Sequence, residues 1–139
     1  MILSRRARHA ALVALYQFDM VAEPDLASLE AAMEEVEASP KDRRHGLEAA
    51  REVWSVRDRC DAELAPFTEE WPLHRQPVMD RNILRLARWE IREAGVPREI
   101  ALNEAVELAK EYGTDRSASF VNGVLASLVR EDTTTSAGD

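Results

Sequence analysis

Residues 78–94 read VMDRNILRLARWEIREA, and their apolar side chains recur every three or four positions. That spacing places the apolar groups on one face of an α-helix, whereas a half-buried β-strand would alternate apolar and polar residues. Gly95 and Pro97 follow directly and are typical of a helix end. The stretch therefore predicts a helix that packs one broad face onto a core, formed by Met79, Ile83, Leu84, Leu86, Ala87 and Ile91.

The same helical spacing extends outward through most of the chain. Only five glycines are present, and no run of alternating β-branched residues predicts a strand. The further predicted helices cover about residues 4–20, 24–38, 42–65, 98–112 and 116–130.

A proline-rich connector, residues 66–77, divides this series of helices, and Trp71 and Leu73 are predicted to anchor it to the core. The fold class that follows is all-α, with six or seven helices in two packed helical halves. We place both halves in a single domain that is followed by a disordered tail. The bounds are about residues 1–65 and 78–131 for the halves, 1–132 for the domain and 133–139 for the tail.

Local signals mark several helix ends. Ser4 suits an N-cap, and Pro24 suits the first turn of the second helix. Gly113 is predicted to take the left-handed conformation in which many helices end. The inward face of the second helix is predicted to consist of Leu26, Leu29, Met33 and Val36.

The composition is that of an ordinary water-soluble globule, with 45% hydrophobic and 32% charged residues. No apolar run approaches the ~20 residues that span a bilayer, and the first residues do not resemble a secretory signal. A single cysteine, Cys60, excludes an internal disulfide and fits a reducing compartment. We therefore expect a cytoplasmic protein without membrane association.

The sequence gives no support for catalysis or metal binding. His9, His45 and His74 are far apart and lie in no ligand spacing. No glycine-rich phosphate loop or nucleophile motif is present, and Cys60 lies among apolar residues, as a buried structural thiol would. We expect no enzyme activity, no cofactor and no metal site.

The charges are unevenly distributed around a net value of −8. The first 18 residues contain Arg5, Arg6 and Arg8 and no acid, whereas residues 19–40 contain seven acids and no Lys or Arg. Arginines that point in different directions around one helical turn can contact several phosphates of a bent single strand. A solvated basic N-terminus is the alternative, and the pattern alone does not separate the two.

A second basic feature is the stripe of Arg81, Arg85, Arg88 and Arg92, opposite the apolar face of the 78–94 helix. We interpret this stripe as the water-facing side of an amphipathic helix. Asp80 and Arg81, at the helix start beside the connector, are better candidates for contact with a protein partner.

The last helix contains two adjacent poor helix formers, Asn122 and Gly123, which cost roughly 1 kcal/mol or more relative to alanine. Its predicted core face is formed by Val121, Val124, Leu125 and Leu128. Phe120 lies on the other side, where it suits either close helix packing or a stacking platform for a base. Composition leaves both interpretations open.

Four segments together carry a family resemblance: RRARHAALVALYQFDM at 5–20, DRNILRLARWEI at 80–91, VPREIALNEAVELAKEYGT at 96–114 and SFVNGVLASLVRE at 119–131. With these four segments in this order, residues 4–131 resemble the NusB family of bacterial transcription antitermination factors. The resemblance implies an all-α fold. It also implies binding to the single-stranded boxA element of nascent ribosomal RNA transcripts, jointly with the ribosomal protein NusE, within the RNA polymerase antitermination complex.

The resemblance also implies roles for particular residues. Those implied in RNA binding are Arg5, Arg6, Arg8, Tyr16, Phe67, Tyr112, Arg116, Phe120 and Asn122. Those implied in partner binding are Glu69, Glu70, Asp80 and Arg81. Family members often have a longer basic run, which Ser4 shortens here, so RNA affinity without NusE would be weak. Arg116 stands where some relatives have an acid and would compensate in part.

Two other functions fit a helical chain of this kind. One is the NusB-like RNA-binding domain of a ribosomal RNA methyltransferase system, although 139 residues leave no room for a methyl-donor-binding sheet. The other is a helical adaptor that binds no RNA, which an RNA-binding assay would distinguish. The family resemblance is compatible with a monomer and with a homodimer.

Overall fold

The computed structural model describes residues 2–138, and side chains for residues 2–131. Within that range the protein is all-α, as predicted, with seven α-helices, two short 3-10 helices and no strand. The α-helices are α1 (Arg5–Met20), α2 (Leu26–Met33), α3 (Pro40–Ser55), α4 (Arg57–Leu64), α5 (Val78–Arg92), α6 (Arg98–Tyr112) and α7 (Ser117–Gly138). The 3-10 helices are Ala65–Phe67 and Leu73–Arg75, both in the connector.

The chain forms two compact units, Met1–Arg57 and Asp58–Asp139. The predicted division lay in the connector, whereas this division falls at the start of α4, so that all of α4 after Arg57 belongs to the second unit. The predicted tail, residues 133–139, lies outside the part of the chain whose side chains are described, and that prediction stays untested. Among the described residues, no helix is both long enough and apolar enough to cross a membrane.

In the first unit, α1 packs against α2 and α3. The helix begins as predicted, because the Ser4 hydroxyl accepts a hydrogen bond from the Ala7 N–H at 3.1 Å. The approach of α3 to α1 requires Gly46, since a Cβ there would lie 2.6 Å from the Ala7 carbonyl oxygen.

Helix α2 is shorter than predicted and begins after an Asp25 N-cap, whose carboxylate accepts from the Ser28 N–H at 2.7 Å. Leu29 and Met33 are buried as predicted, and Val36 is buried beyond the helix end. The prediction for Leu26 is wrong, since 52% of it is exposed. Leu26 is the first residue of the shortened α2, so its side chain lies at the end of the helix and not within the buried face of Leu29 and Met33.

The predicted helix at 42–65 is two helices, because Val56 leaves the helical conformation with φ −112° and ψ 18°. No proline or glycine marks this break. Beyond this break, α4 forms ion pairs with α5 within the second unit. Arg85 pairs with both carboxylate oxygens of Asp61 at 2.7 and 2.8 Å, and Arg88 pairs with Glu63.

These ion pairs also correct the interpretation of the arginine stripe. Arg85 and Arg88 are buried rather than water-facing, because the stripe meets the carboxylates of α4 instead of solvent. Arg92 is half-buried and pairs with Glu63 at 3.0 Å. A stripe opposite the apolar face is thus the second packed face of α5.

Helix α6 has the predicted bounds and packs against α5 and α7. The predicted left-handed conformation of Gly113 is wrong, since its φ is −98° in an extended backbone. Glycine is required there for space instead, because a Cβ would lie 2.4 Å from the Ser117 side chain. The left-handed conformation occurs at Gly95, with φ +70°, where α5 ends.

Candidate nucleic-acid and partner interface

The basic tip of α1 is smaller than predicted. Arg5 and Arg6 are exposed on the first turn, but only 3% of Arg8 is exposed. Arg8 is buried because it lies four and seven residues before Leu12 and Leu15, which places it on their face of the helix. The prediction that Arg8 is part of an exposed fan is therefore wrong, and two arginines form the tip.

One arginine of this tip, Arg6, is only weakly restrained by its neighbour. The Arg6 guanidinium lies 4.0 Å from the Glu37 carboxylate, and both side chains are largely exposed. An exposed ion pair of this kind contributes little to the free energy of folding and is screened by salt. Arg6 can therefore exchange the Glu37 carboxylate for a phosphate. Tyr16, further along α1 in the same unit, is half-buried.

In the second unit, the connector and α7 enclose a groove of about 610 Å³. Four residues with a predicted role line this groove. Phe67 and Phe120 are predicted to bind RNA, and Glu69 and Glu70 are predicted to bind a protein partner. The other lining residues are Pro66, Thr68, Trp71, Ser119, Gly123 and Val124. We call this the aromatic groove.

Trp71 and Phe120 form the centre of this region, with ring centroids 4.8 Å apart in an edge-to-face arrangement. A second cleft of about 560 Å³ shares both rings and adds Asp115 and Arg116 to its lining. Arg116 and Phe120, both predicted to bind RNA, thus line a common cleft, and their RNA binding stays a prediction. Trp71 was predicted only as an anchor, and its place beside a candidate stacking residue was missed.

The core face of α7 explains why Phe120 lies at an edge. Val121, Val124, Leu125 and Leu128 are buried as predicted, so Phe120 and Gly123 fall at the margin of that face. Phe120 is half-buried, and a Cβ on Gly123 would meet nothing within 4 Å. Gly123 therefore leaves open space beside the ring, which a base could enter.

Two RNA candidates of the second unit lie outside both clefts. Asn122 is exposed on α7, and Tyr112 is half-buried at the end of α6. Neither lines the aromatic groove or the second cleft. Their assignment to RNA binding stays a prediction.

Asp80 was predicted to contact a partner, but it is fully buried at the start of α5. The Ser117 hydroxyl donates to its carboxylate, with oxygen–oxygen distances of 2.8 and 3.0 Å. The same hydroxyl accepts from the Thr114 N–H at 2.8 Å. Asp80 therefore joins the corner between α6 and α7 to α5, and the prediction that it forms a docking surface is wrong.

Burial raises the pKa of the Asp80 carboxyl above its ordinary value, and the Ser117 hydrogen bond opposes that rise. The other predicted partner residues differ from Asp80 in exposure. Glu69 and Glu70 are exposed, and Arg81 is half-buried. Glu69 and Glu70, on the connector, are therefore the exposed members of this set, and the assignment of Glu69, Glu70 and Arg81 to a partner stays a prediction.

Cys60 is buried, as the sequence predicted, and its sulfur lies 3.6 Å from Arg88 Nη1. Burial raises the pKa of the thiol above its ordinary value, and the nearby guanidinium opposes the rise. A buried thiol with a raised pKa is a poor nucleophile. Over the described residues, no group of three His, Cys, Asp or Glu side chains could hold a metal ion.

Comparisons with known proteins agree with the resemblance. The sequence profile of the NusB family matches residues 5–130. The transcription antitermination protein NusB of Myxococcus xanthus is 39% identical over 126 residues, which cover 87% of this chain and 90% of that protein. The NusB of Anaeromyxobacter dehalogenans is 42% identical over 123 residues, which cover 86% of this chain and 85% of that protein.

Solved structures show the same fold. T. maritima NusB superposes with a TM-score of 0.76 at 34% identity, and covers 94% of each chain. A chain from the complex of antitermination factors NusB and NusE with double-stranded RNA superposes with a TM-score of 0.77 at 22% identity, and covers 91% of this chain and 96% of that one.

Proposed function

The chain belongs to the NusB family, and we propose that it binds the boxA element of nascent ribosomal RNA transcripts together with NusE. Its curated relatives are transcription antitermination proteins rather than enzymes. The function is one of assembly: the two proteins and the RNA would join the elongating polymerase in the cytoplasm and help it read through terminators.

The observation that carries the proposal is the aromatic groove with Arg116 beside it. Single-stranded RNA is read through unstacked bases that lie on aromatic rings or guanidinium planes. Phe120 offers a half-buried ring next to open space at Gly123. Arg116, with an exposed side chain, can contact a phosphate or stack on a neighbouring base.

The role of NusE follows from charge. A chain with a net charge of −8 and two exposed arginines at its basic tip would hold RNA poorly at physiological salt. A cationic ribosomal protein would supply further phosphate contacts and neutralise Glu69 and Glu70, which otherwise repel RNA from the aromatic groove. RNA binding should therefore be strongly cooperative with NusE.

The test is a gel shift with boxA RNA, with and without NusE, beside an RNA of the same length and scrambled sequence. We expect weak binding by the chain alone and a much tighter, sequence-selective complex with NusE. A helical adaptor would shift neither RNA. Sedimentation of the free chain would distinguish a monomer from a homodimer.

The basic tip is tested by Arg5→Ala plus Arg6→Ala. Each lost phosphate contact should reduce the slope of log affinity against log salt by about 0.7 for a single strand. The matched control is Lys41→Ala plus Arg51→Ala, which removes two exposed positive charges from α3. Equal slopes for both variants would show that the tip contributes only general charge.

A further inference from the structure

The corner between α1 and α2 carries an apolar patch that the proposed function does not use. Five large hydrophobic side chains are strongly exposed in the described part of the chain, and three of them lie at this corner. They are Met20, Val21 and Leu26, each between 48% and 53% exposed. Exposed apolar residues that are scattered singly are ordinary, whereas a group of them with a polar rim can mark an interaction site.

Backbone contacts hold this corner in a defined conformation. The Val21 N–H donates to the Gln17 carbonyl at 2.9 Å and closes the last turn of α1. The Asp25 carboxylate caps α2, and between them Glu23 has a φ of +50°, which non-glycine residues seldom adopt. Met20, Val21 and Leu26 thus lie at the two ends of a short turn between α1 and α2.

The charge around the patch indicates what would cover it. Residues 19–40 contain seven acids and no Lys or Arg. Glu23 and Glu30 are exposed, and Glu30 lies one helical turn after Leu26 on the same face of α2. The backbone hydrogen bond from Ser28 holds the pKa of Asp25 below its ordinary value, so this carboxylate is charged at neutral pH. Such a rim repels RNA phosphates and complements a cationic protein.

We propose that the patch of Met20, Val21 and Leu26, with its rim of Glu23 and Glu30, docks a basic protein segment that presents large apolar side chains between lysines or arginines. The apolar side chains would cover the exposed halves of the three hydrophobic residues. The cations would pair with the rim, which makes encounter fast and dependent on salt. None of the residues assigned to RNA or NusE is involved, so the two proposals can fail separately.

The test uses the full chain, labelled with nitrogen-15 and titrated with a synthetic amphipathic helical peptide of leucine and lysine. We expect amide shift changes to cluster at residues 19–30. Met20→Ser plus Leu26→Ser should weaken binding about tenfold, equivalent to about 1.4 kcal/mol. The matched control, Ile2→Ser plus Ile100→Ser, removes two other exposed hydrophobic residues and should leave the affinity unchanged. Circular dichroism should show every variant folded.

Several results would overturn the proposal. Shift changes outside the corner, or an equal loss of affinity in the control variant, would show that the peptide does not bind specifically at the patch and responds to the overall charge of the protein. If a peptide of leucine and serine bound with the same affinity as the peptide of leucine and lysine, the acidic rim would not contribute to binding. Shift changes at the corner on adding single-stranded RNA would assign the patch to nucleic acid. A dimer of the free chain that Met20→Ser plus Leu26→Ser abolishes would assign it to a second copy.

Discussion

The buried hydrogen bond between Ser117 and Asp80 allows a prediction that can be worked out in magnitude. Ser117→Ala removes the hydroxyl that donates to the Asp80 carboxylate at 2.8 Å and that accepts from the Thr114 N–H. The substitution removes a single oxygen atom and so creates little empty volume, and we expect the backbone of α7 to stay unchanged. Its effect therefore reports the hydrogen bonds at this corner rather than a loss of packing.

The expected cost is about 2–4 kcal/mol of unfolding free energy at neutral pH. A hydrogen bond to a charged group contributes about 1.5–3 kcal/mol, and the Thr114 N–H loses its acceptor as well. For a chain of 139 residues, a change of about 3 kcal/mol lowers the melting temperature by roughly 10 °C. This is a large part of the total stability expected for a domain.

The pH dependence gives the sharper test. Because burial raises the folded-state pKa of Asp80, its carboxyl favours the folded protein most below its ordinary pKa of 3.8, and that contribution is lost as the pH rises through the folded-state pKa. Ser117→Ala removes the hydrogen bond that opposes the rise, so the folded-state pKa should increase further. The cost of the substitution should be largest at neutral pH and shrink towards about pH 4.

The assay is chemical denaturation followed by circular dichroism at about pH 4 and about pH 7.5, with Asp80→Asn as the second background. Asparagine keeps an oxygen acceptor for Ser117 but carries no charge, so Ser117→Ala should cost only about 0.5–1.5 kcal/mol there. An equal cost at both pH values and in both backgrounds would refute a charged carboxylate held by Ser117.

Two further predictions concern the candidate interface. Phe120→Ala should weaken RNA binding in the presence of NusE by ~1–3 kcal/mol. Because the ring is half-buried, the substitution should lower the free energy of unfolding by less than the ~3–5 kcal/mol of a fully buried phenylalanine. A thermal melt beside the gel shift separates the two effects. Glu69→Lys plus Glu70→Lys should reduce NusE affinity at least tenfold in calorimetry by placing like charges together. Glu48→Lys plus Glu52→Lys, exposed on α3, makes the same change of charge elsewhere and should bind NusE normally.

Local signals in the sequence were sufficient for much of the fold. Ser4 caps α1, and α6 has the predicted bounds, because caps and helix stops act over a few residues that the sequence displays directly. The helix break at Val56 has no such signal. The ion pairs between α4 and α5 likewise join segments that are distant in sequence, and periodicity within one helix cannot reveal them.

The residues predicted for RNA or a partner are only partly brought together: Phe67, Phe120, Glu69 and Glu70 line the aromatic groove, whereas Tyr112 lies outside it. The half-burial of Phe120 was predictable, because helical periodicity places this ring at the margin of the core face of α7. Arg8 and Asp80 were misjudged because a charged residue is expected at the surface, and burial with polar partners depends on tertiary contacts. The position of Trp71 beside Phe120 depends on how the connector packs against α7, which local sequence signals do not show.

The open space at Gly123 has a practical consequence for measurement. A Cβ at this position meets nothing within 4 Å, and alanine or cysteine would replace a residue that costs a helix roughly 1 kcal/mol. Gly123→Cys would place an accessible thiol at the edge of the aromatic groove, whereas Cys60, the only native thiol, is buried and should react slowly. A fluorophore attached there would lie close to Trp71, whose indole quenches many dyes. Entry of a ligand between dye and tryptophan would then appear as a rise in emission, so that occupancy of the groove could be followed in real time.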